Sequence, residues 1–297
     1  MIQPTYLKAG DTVGITCPAK KLTVAEIETA INILKSWDLN VVLGETVGAS
    51  HHQFAGNDDL RRKDFQQMLN NPNINAIICG RGGYGTVKII DDLDFTAFMK
   101  QPKWIVGFSD ITYLHILLNC NIGVESLHAP MMTTLKNSTT ASIHSIKEAL
   151  FGKLLHYTFD AHEMNRNGVA EGEVIGGNLS IIYSLLGTKS IVHTKDAILF
   201  IEDLDEYLYH IDRMMMALKR AGKLQFIKGL IVGGMTNMID NDIPYGQTAY
   251  EIIQEHCAAY NFPICYNFPA GHIADNRAII LGKKAKLTVG TTCMFEQ

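Results

Sequence analysis

The chain has 297 residues, 47% of them hydrophobic, 19% charged and 8% aromatic, which excludes a mini-protein, a coiled coil and a disordered or fibrous chain and leaves two domains or one large α/β unit. The 26 basic and 30 acidic residues give a net charge of −4. No global field therefore attracts nucleic acid or an anionic membrane, and any partner is expected to be read by a local site.

The opening stretch, Met1 to Gly10, carries Lys8 where a signal peptide needs an apolar run, and no later stretch is long and apolar enough to span a bilayer. The expected location is the cytoplasm. Cys17, Cys79, Cys120, Cys257, Cys265 and Cys293 are scattered without C-x-x-C spacing, so buried free thiols are expected rather than disulfides or a thiolate metal site.

Up to about residue 150, short apolar runs alternate with helical patterns, the signature of βαβ units around a mostly parallel sheet. Thr12 to Cys17 reads as a strand stopped by Pro18. Val24 to Trp37, with Ile27, Ile31 and Leu34 in register, reads as an amphipathic helix. A second strand is expected over Asn40 to Leu43 and a charged helix over Asp58 to Leu69. Ile74 to Cys79 and Lys103 to Phe108 are continuous apolar runs, as in strands covered on both faces. Tyr157 to Gly172, which holds Asn167-Gly168, lacks periodicity and is the expected linker. Beyond it the alternation resumes: strands at Ala197 to Ile201 and Gly229 to Val232, helices at Tyr207 to Lys219 and Gln247 to Ala259. Ala278 to Leu281 and Ala285 to Val289, joined by Gly282-Lys283-Lys284, read as a closing hairpin.

Four places could carry chemistry. At Gly107-Phe108-Ser109-Asp110 a buried strand runs into a helix. One reading is a nucleophile elbow, in which a tight turn lifts the serine hydroxyl above the sheet and the next amide forms half of an oxyanion hole. The other is an ordinary helix N-cap, which the local string by itself favours. Gly80-Arg81-Gly82-Gly83-Tyr84-Gly85 matches G-x-G-x-x-G, yet no acidic residue follows about 20 positions on and the motif follows the third strand rather than the first, against a dinucleotide site. A loop offering backbone N–H groups to an oxyanion fits better. The strand Ala197 to Ile201 ends in Glu202, Asp203, Asp205 and Glu206. Most of these are expected in a solvated acidic loop, but Glu202 abuts the apolar run and needs a partner. His272, on the loop after Phe268-Pro269-Ala270-Gly271, is one candidate. No H-E-x-x-H or matched His/Cys spacing occurs, so no metal is expected.

Taken together, Gly10-Asp11 to Pro18-Ala19, Ala55-Gly56-Asn57-Asp58 to Arg61 and Asp64, Arg81 to Gly85, Gly107 to His115, His128-Ala129-Pro130, Gly176 to Leu179, Glu202-Asp203, Ile211-Asp212-Arg213 and Gly271-His272 resemble the LD-carboxypeptidase family of serine peptidases. That family takes in muramoyl-tetrapeptide carboxypeptidases and microcin-immunity proteins. Ala129 stands where the family has glycine, and Cys17 where a small residue such as alanine is usual.

The resemblance implies an α/β architecture: an N-terminal flavodoxin- or Rossmann-like parallel-sheet domain (1–160), a linker (161–172) and a smaller C-terminal α/β domain (173–297). The active site is expected in the interdomain cleft. It further implies a catalytic triad of Ser109 as nucleophile, His272 as base and Glu202 as its orienting carboxylate, with the amides of Asp110 and Gly83 as oxyanion donors and Gly82 as the alternative to Gly83. The implied reaction releases the terminal D-alanine of a cytoplasmic murein tetrapeptide in peptidoglycan recycling, by a homodimer without cofactor. A free substrate carboxylate calls for a cation, for which Arg81 and Arg213 are the candidates. Two alternatives remain: a relative that hydrolyses a peptide–nucleotide antibiotic, and a non-catalytic two-domain protein that closes on a small ligand.

Overall fold

A computed structural model describes all residues, 1–297. The chain divides into two compact units, Met1–Lys153 with Ala274–Ile280, and Leu154–Ile273 with Leu281–Gln297. No helix is long and apolar enough to cross a membrane, and no group of three or more His, Cys, Asp or Glu is placed to hold a metal.

The first unit contains β1 (Thr12–Thr16), α1 (Val24–Lys35), β2 (Asn40–Leu43), α2 (Asp58–Asn70), β3 (Ala76–Cys79), α3 (Thr96–Lys100), β4 (Trp104–Gly107), α4 (Thr112–Ile116), β5 (Ser126–His128) and α5 (Thr140–Leu150). The second contains β6 (His156–Asp160), β7 (Gly168–Asn178), α6 (Leu179–Ser184), β8 (Ile198–Leu204), α7 (Leu208–Arg220), β9 (Gly229–Thr236), α8 (Ala249–His256) and β10 (Ile264–Cys265). The chain then returns to the first unit, whose last strand is β11 (Ile279–Leu281), and ends in the second as β12 (Lys284–Val289) and β13 (Thr292–Glu296).

In the first sheet the order is β11-β5-β4-β3-β1-β2, and β2 through β5 pair in parallel. The run 2-1-3-4-5 is flavodoxin-like. Every residue of β3 and β4 is buried, as parallel strands covered by helices require. Helix α1 starts at a Thr23/Glu26 capping box and buries Ile27, Ala30 and Leu34; the Asn57 side chain caps α2 by accepting from the Leu60 amide. The second sheet, β10-β9-β8-β7-β12-β13-β6, is parallel from β10 to β7 and antiparallel beyond. Strand β7 serves both halves: Gly168–Glu173 pair with β12, and Val174–Asn178 with β8.

Two expectations about organisation are corrected. The proposed linker 161–172 is not one, because β7 begins inside it and β6, placed in the N-terminal domain, pairs with β13 in the second unit. Residues between them are anchored there too: Arg166 Nη1 donates to the Tyr260 carbonyl at 2.6 Å and Asn165 Oδ1 accepts from the Tyr266 amide at 2.8 Å. The stretch looked aperiodic because the outer half of β7 carries glycines and exposed polar residues. Nor is there a hairpin joining Ala278–Leu281 to Ala285–Val289: β11 lies beside β5 and β12 pairs with β13 and β7. The returning segment is held by α5 and its cap, where Thr139 Oγ1 donates to Asp275 Oδ1 at 2.8 Å and Ser145 Oγ accepts from the Ala278 amide at 2.9 Å.

Candidate functional site

In the first unit the candidate residues cluster beyond the C-terminal ends of the adjacent strands β1, β3 and β4, next to the point where strand order reverses. Ligand sites of open parallel sheets form there. Ser109 leaves β4 with φ 62, in the left-handed region that a non-glycine residue enters only when its surroundings force it. Gly107 permits this sharp corner, since a Cβ there would fall 2.8 Å from Ile111 Cγ1. The N-cap reading of Ser109 does not hold: Phe108 occupies that position and no side chain caps the turn. A 3₁₀ turn over Ser109–Ile111 leads into α4.

The glycine loop, Gly80 to Gly85, is followed by two 3₁₀ turns, Thr86–Lys88 and Ile90–Asp92, and not by the α-helix that a pyrophosphate site would need. A Cβ on Gly82 would lie 3.2 Å from Ser109 Cβ and 3.4 Å from its Oγ, so the loop backbone faces the hydroxyl. Gly83 has φ 108, and its amide has no hydrogen-bond acceptor within the chain. Asp110 ties turn and loop together: its buried Oδ2 accepts from the Thr86 amide at 2.9 Å. Burial pushes the Asp110 carboxyl up from its ordinary value, against the Thr86 bonds and the charges of Arg61 and Lys20.

Sequence reasoning gave no role to the residue that fixes the loop. Arg61 on α2 is fully buried; its Nη1 donates to the carbonyls of Pro18 and, at 2.9 Å, Gly85, its Nη2 bonds Asp58, and its guanidinium lies 4.9 Å from the centre of the Phe54 ring. Two loop ends are thereby clamped by one rigid fork. His115 secures the other side: Nε2 bonds the Gly107 carbonyl at 2.9 Å and Nδ1 bonds Ser126 Oγ at 2.8 Å, with burial lowering its pKa to about 4. It is a neutral structural group.

In the second unit Glu202 lies inside β8, fully buried, rather than at the strand's exposed end. Its Oε2 accepts from His272 Nδ1 at 2.6 Å and from the His272 backbone amide at 3.2 Å. Two glycines make this approach possible. A Cβ on Gly271, at φ 104, would sit 2.8 Å from Glu202 Oε2, and one on Gly233 would sit 3.2 Å from Glu202 Cβ. Thr236 Oγ1 donates to the His272 carbonyl at 3.0 Å, a support without a sequence signal. Burial is the largest influence on the His272 pKa and lowers it, but the charge and hydrogen bond of Glu202, with Asp203 and Asp205, together hold it above the ordinary value. The bond to Glu202 fixes the tautomer that carries its proton on Nδ1.

The acidic run is not simply a solvated loop. Asp203 is buried; Oδ1 accepts from Asn178 Nδ2 at 2.8 Å and Oδ2 from the Ser180 amide at 2.8 Å, and burial followed by the Glu202 charge raises its pKa to about 7. Only Asp205 and Glu206 reach solvent. Of the two arginines, Arg81 places Nη1 3.7 Å from Glu26 Oε1, and Arg213 lies 5.2 Å from the centre of the Tyr209 ring. A cavity of about 610 Å³ opens past the end of β9, lined by Leu208, Met235, Met238, Pro244 and Tyr250 among others. All six cysteines are free thiols.

A left-handed serine at a strand end and a buried carboxylate–imidazole pair are parts that serine hydrolases use. The LD-carboxypeptidase N-terminal domain model matches residues 13–129 and the corresponding C-terminal domain model residues 171–287. The "Probable murein peptide carboxypeptidase" of Bacillus subtilis strain 168 is 33% identical over 99% of this chain and 94% of its own length. The murein tetrapeptide carboxypeptidase of Pseudomonas aeruginosa is 28% identical, over 95% of each chain. Among solved structures, muramoyltetrapeptide carboxypeptidase from Oxalobacter formigenes superposes with a TM-score of 0.87 at 26% identity, covering 96% of this chain and 98% of that one. The microcin C7 self-immunity protein shares the fold, with a TM-score of 0.90 at 21% identity over 99% and 98% of the two chains. The chain belongs to the LD-carboxypeptidase family.

Proposed function

We propose that the protein is a serine-type LD-carboxypeptidase that releases the terminal D-alanine of a murein tetrapeptide, in cytoplasmic recycling of peptidoglycan. The observation that carries this reading is the 2.6 Å bond from His272 Nδ1 to the buried Glu202, which fixes one tautomer and makes Nε2 the base. The names of the relatives from Bacillus subtilis and Pseudomonas aeruginosa support the substrate class.

In the proposed mechanism His272 Nε2 takes the proton of Ser109 Oγ as that oxygen attacks the carbonyl between the L-configured centre and D-alanine. The amides of Asp110 and Gly83 receive the developing oxyanion, with Gly82 positioning the loop against the hydroxyl. The imidazolium, balanced by Glu202, then gives its proton to the departing D-alanine nitrogen. Water, activated by the same imidazole, hydrolyses the acyl-serine and restores the hydroxyl. The mechanism requires Ser109 Oγ and His272 Nε2 to come within hydrogen-bond reach in the working enzyme.

The test is D-alanine release from a murein tetrapeptide by the wild type and by Ser109→Ala. Turnover is expected to vanish in the variant while its unfolding free energy stays within about 1 kcal/mol of wild type, because only one half-buried hydroxyl is lost. Undiminished release by Ser109→Ala refutes the reading.

A further inference from the structure

The two arginines that the sequence offers for a substrate carboxylate are both engaged, Arg81 near Glu26 and Arg213 on the face of Tyr209. A third cation packs its side chain directly on the candidate oxyanion loop. Lys20 follows the end of β1, and its backbone amide donates to the Gly82 carbonyl at 3.4 Å. Its aliphatic stem lies on the next residue of the loop: a Cβ on Gly83 would come 2.5 Å from Lys20 Cδ and 2.8 Å from Cε. Consecutive loop residues thus face Ser109 and Lys20, Gly82 the hydroxyl and Gly83 the lysine stem.

The ammonium forms no ion pair and no side-chain hydrogen bond. The lysine nevertheless shares one stretch of loop with Ser109: its amide bonds the carbonyl of Gly82, the residue that faces the hydroxyl, and its stem lies on Gly83. A cation whose stem is laid along Gly83 and which lacks a protein anion is suited to an anion brought by the substrate. The terminal carboxylate of a peptide is one carbon away from the scissile nitrogen. It therefore arrives beside the oxyanion donors whenever the scissile carbonyl occupies them. The four-carbon stem lets the ammonium follow it.

We propose that Lys20 is the specificity-determining cation that binds the free α-carboxylate of the leaving residue and so makes the site a carboxypeptidase rather than an endopeptidase. This assignment rests on the hydrolase reading above. It predicts that Lys20→Met, which keeps the stem over Gly83 and removes the charge, raises KM for a free-acid substrate about 10- to 100-fold, the effect of one charge-assisted hydrogen bond.

The experiment compares a murein tetrapeptide with its C-terminal amide, using wild type, Lys20→Met and Lys20→Arg. Wild type should strongly prefer the free acid; Lys20→Met should lose that preference through KM, with its activity on the amide unchanged; Lys20→Arg should restore it and show that the position tolerates substitution. Equal losses on acid and amide would instead mean that the charge supports the oxyanion, and would overturn the assignment, as would an undiminished preference in Lys20→Met. If wild type cleaves neither peptide, the hydrolase reading fails by itself. Calorimetric titration of the two peptides into wild type and Lys20→Met then decides the Lys20 assignment: tighter binding of the acid by wild type alone sustains it, and absence of that preference overturns it.

Discussion

Replacing Glu202 with glutamine separates the chemistry of the candidate site from its stability. The carboxylate is fully buried; Oε2 accepts two hydrogen bonds from His272, at 2.6 and 3.2 Å, while Oε1 has no partner. Glutamine preserves shape and removes the charge that, in the proposed mechanism, balances the imidazolium formed when Ser109 is deprotonated. It can also turn its NH₂ toward Nδ1, forcing the proton onto Nε2 and disabling the base. Breaking a buried charge pair from one side costs about 3–5 kcal/mol, and here that cost falls on the transition state, where the imidazole is charged. At about 1.4 kcal/mol per factor of ten, kcat for D-alanine release should drop between about a hundredfold and several thousandfold. Thermal stability should not follow. The substitution removes a buried charge with an unsatisfied oxygen and relieves Asp203, whose pKa of about 7 owes its second-largest upward push to Glu202. Coupled measurement of D-alanine release and of the unfolding midpoint tests both halves. A variant that keeps more than a tenth of wild-type kcat would refute the assignment of Glu202 as the partner of a catalytic base.

The pH dependence carries a definite sign. Protonated His272 cannot act as base, and its pKa lies above the ordinary histidine value because Glu202, Asp203 and Asp205 outweigh burial; kcat/KM should therefore rise with pH through a midpoint above about 6.5, and residual activity in Glu202→Gln should rise through a lower one. A wild-type midpoint below that value contradicts the electrostatic account. Gly85→Ala tests the clamp on the glycine loop. With φ 142, and a Cβ only 2.6 Å from Arg61 Nη1 and 3.2 Å from Ala19 Cα, the change should cost about 2 kcal/mol in urea unfolding and lower kcat as well; unchanged unfolding and turnover would show that the loop does not depend on this contact.

Much of this molecule is written locally. The buried runs Ala76–Cys79 and Trp104–Gly107 announce parallel strands covered on both faces, and Thr23 with Glu26 announces the start of α1, because burial pattern and capping depend on neighbours a few positions apart. The corner at Gly107-Phe108-Ser109 was legible as a cap or an elbow, and the local string favoured the cap. The structure removes the cap, since Phe108 takes that position and Ser109 stands at φ 62; Ile111 packs beside Gly107 and Asp110 reaches the Thr86 amide, and no pattern of residue types encodes those contacts.

The burial of Asp203 was hidden for a similar reason. Four carboxylates in five positions look solvated until Asn178 and the Ser180 amide, supplied by the end of the preceding strand and the helix that follows it, are seen to donate to Asp203. The return of residues 274–280 to the first unit was likewise unreadable, since Thr139 and Ser145 hold it through hydrogen bonds that span most of the second unit's sequence. The order of residues alone carried the alternation of strand and helix and the residue types able to act as nucleophile, base and carboxylate. Only the tertiary structure decided that Glu202 meets His272, that Arg61 clamps the glycine loop and that Lys20 lies across Gly83. Those contacts join residues far apart in the chain and depend on glycines whose missing side chains leave room for them.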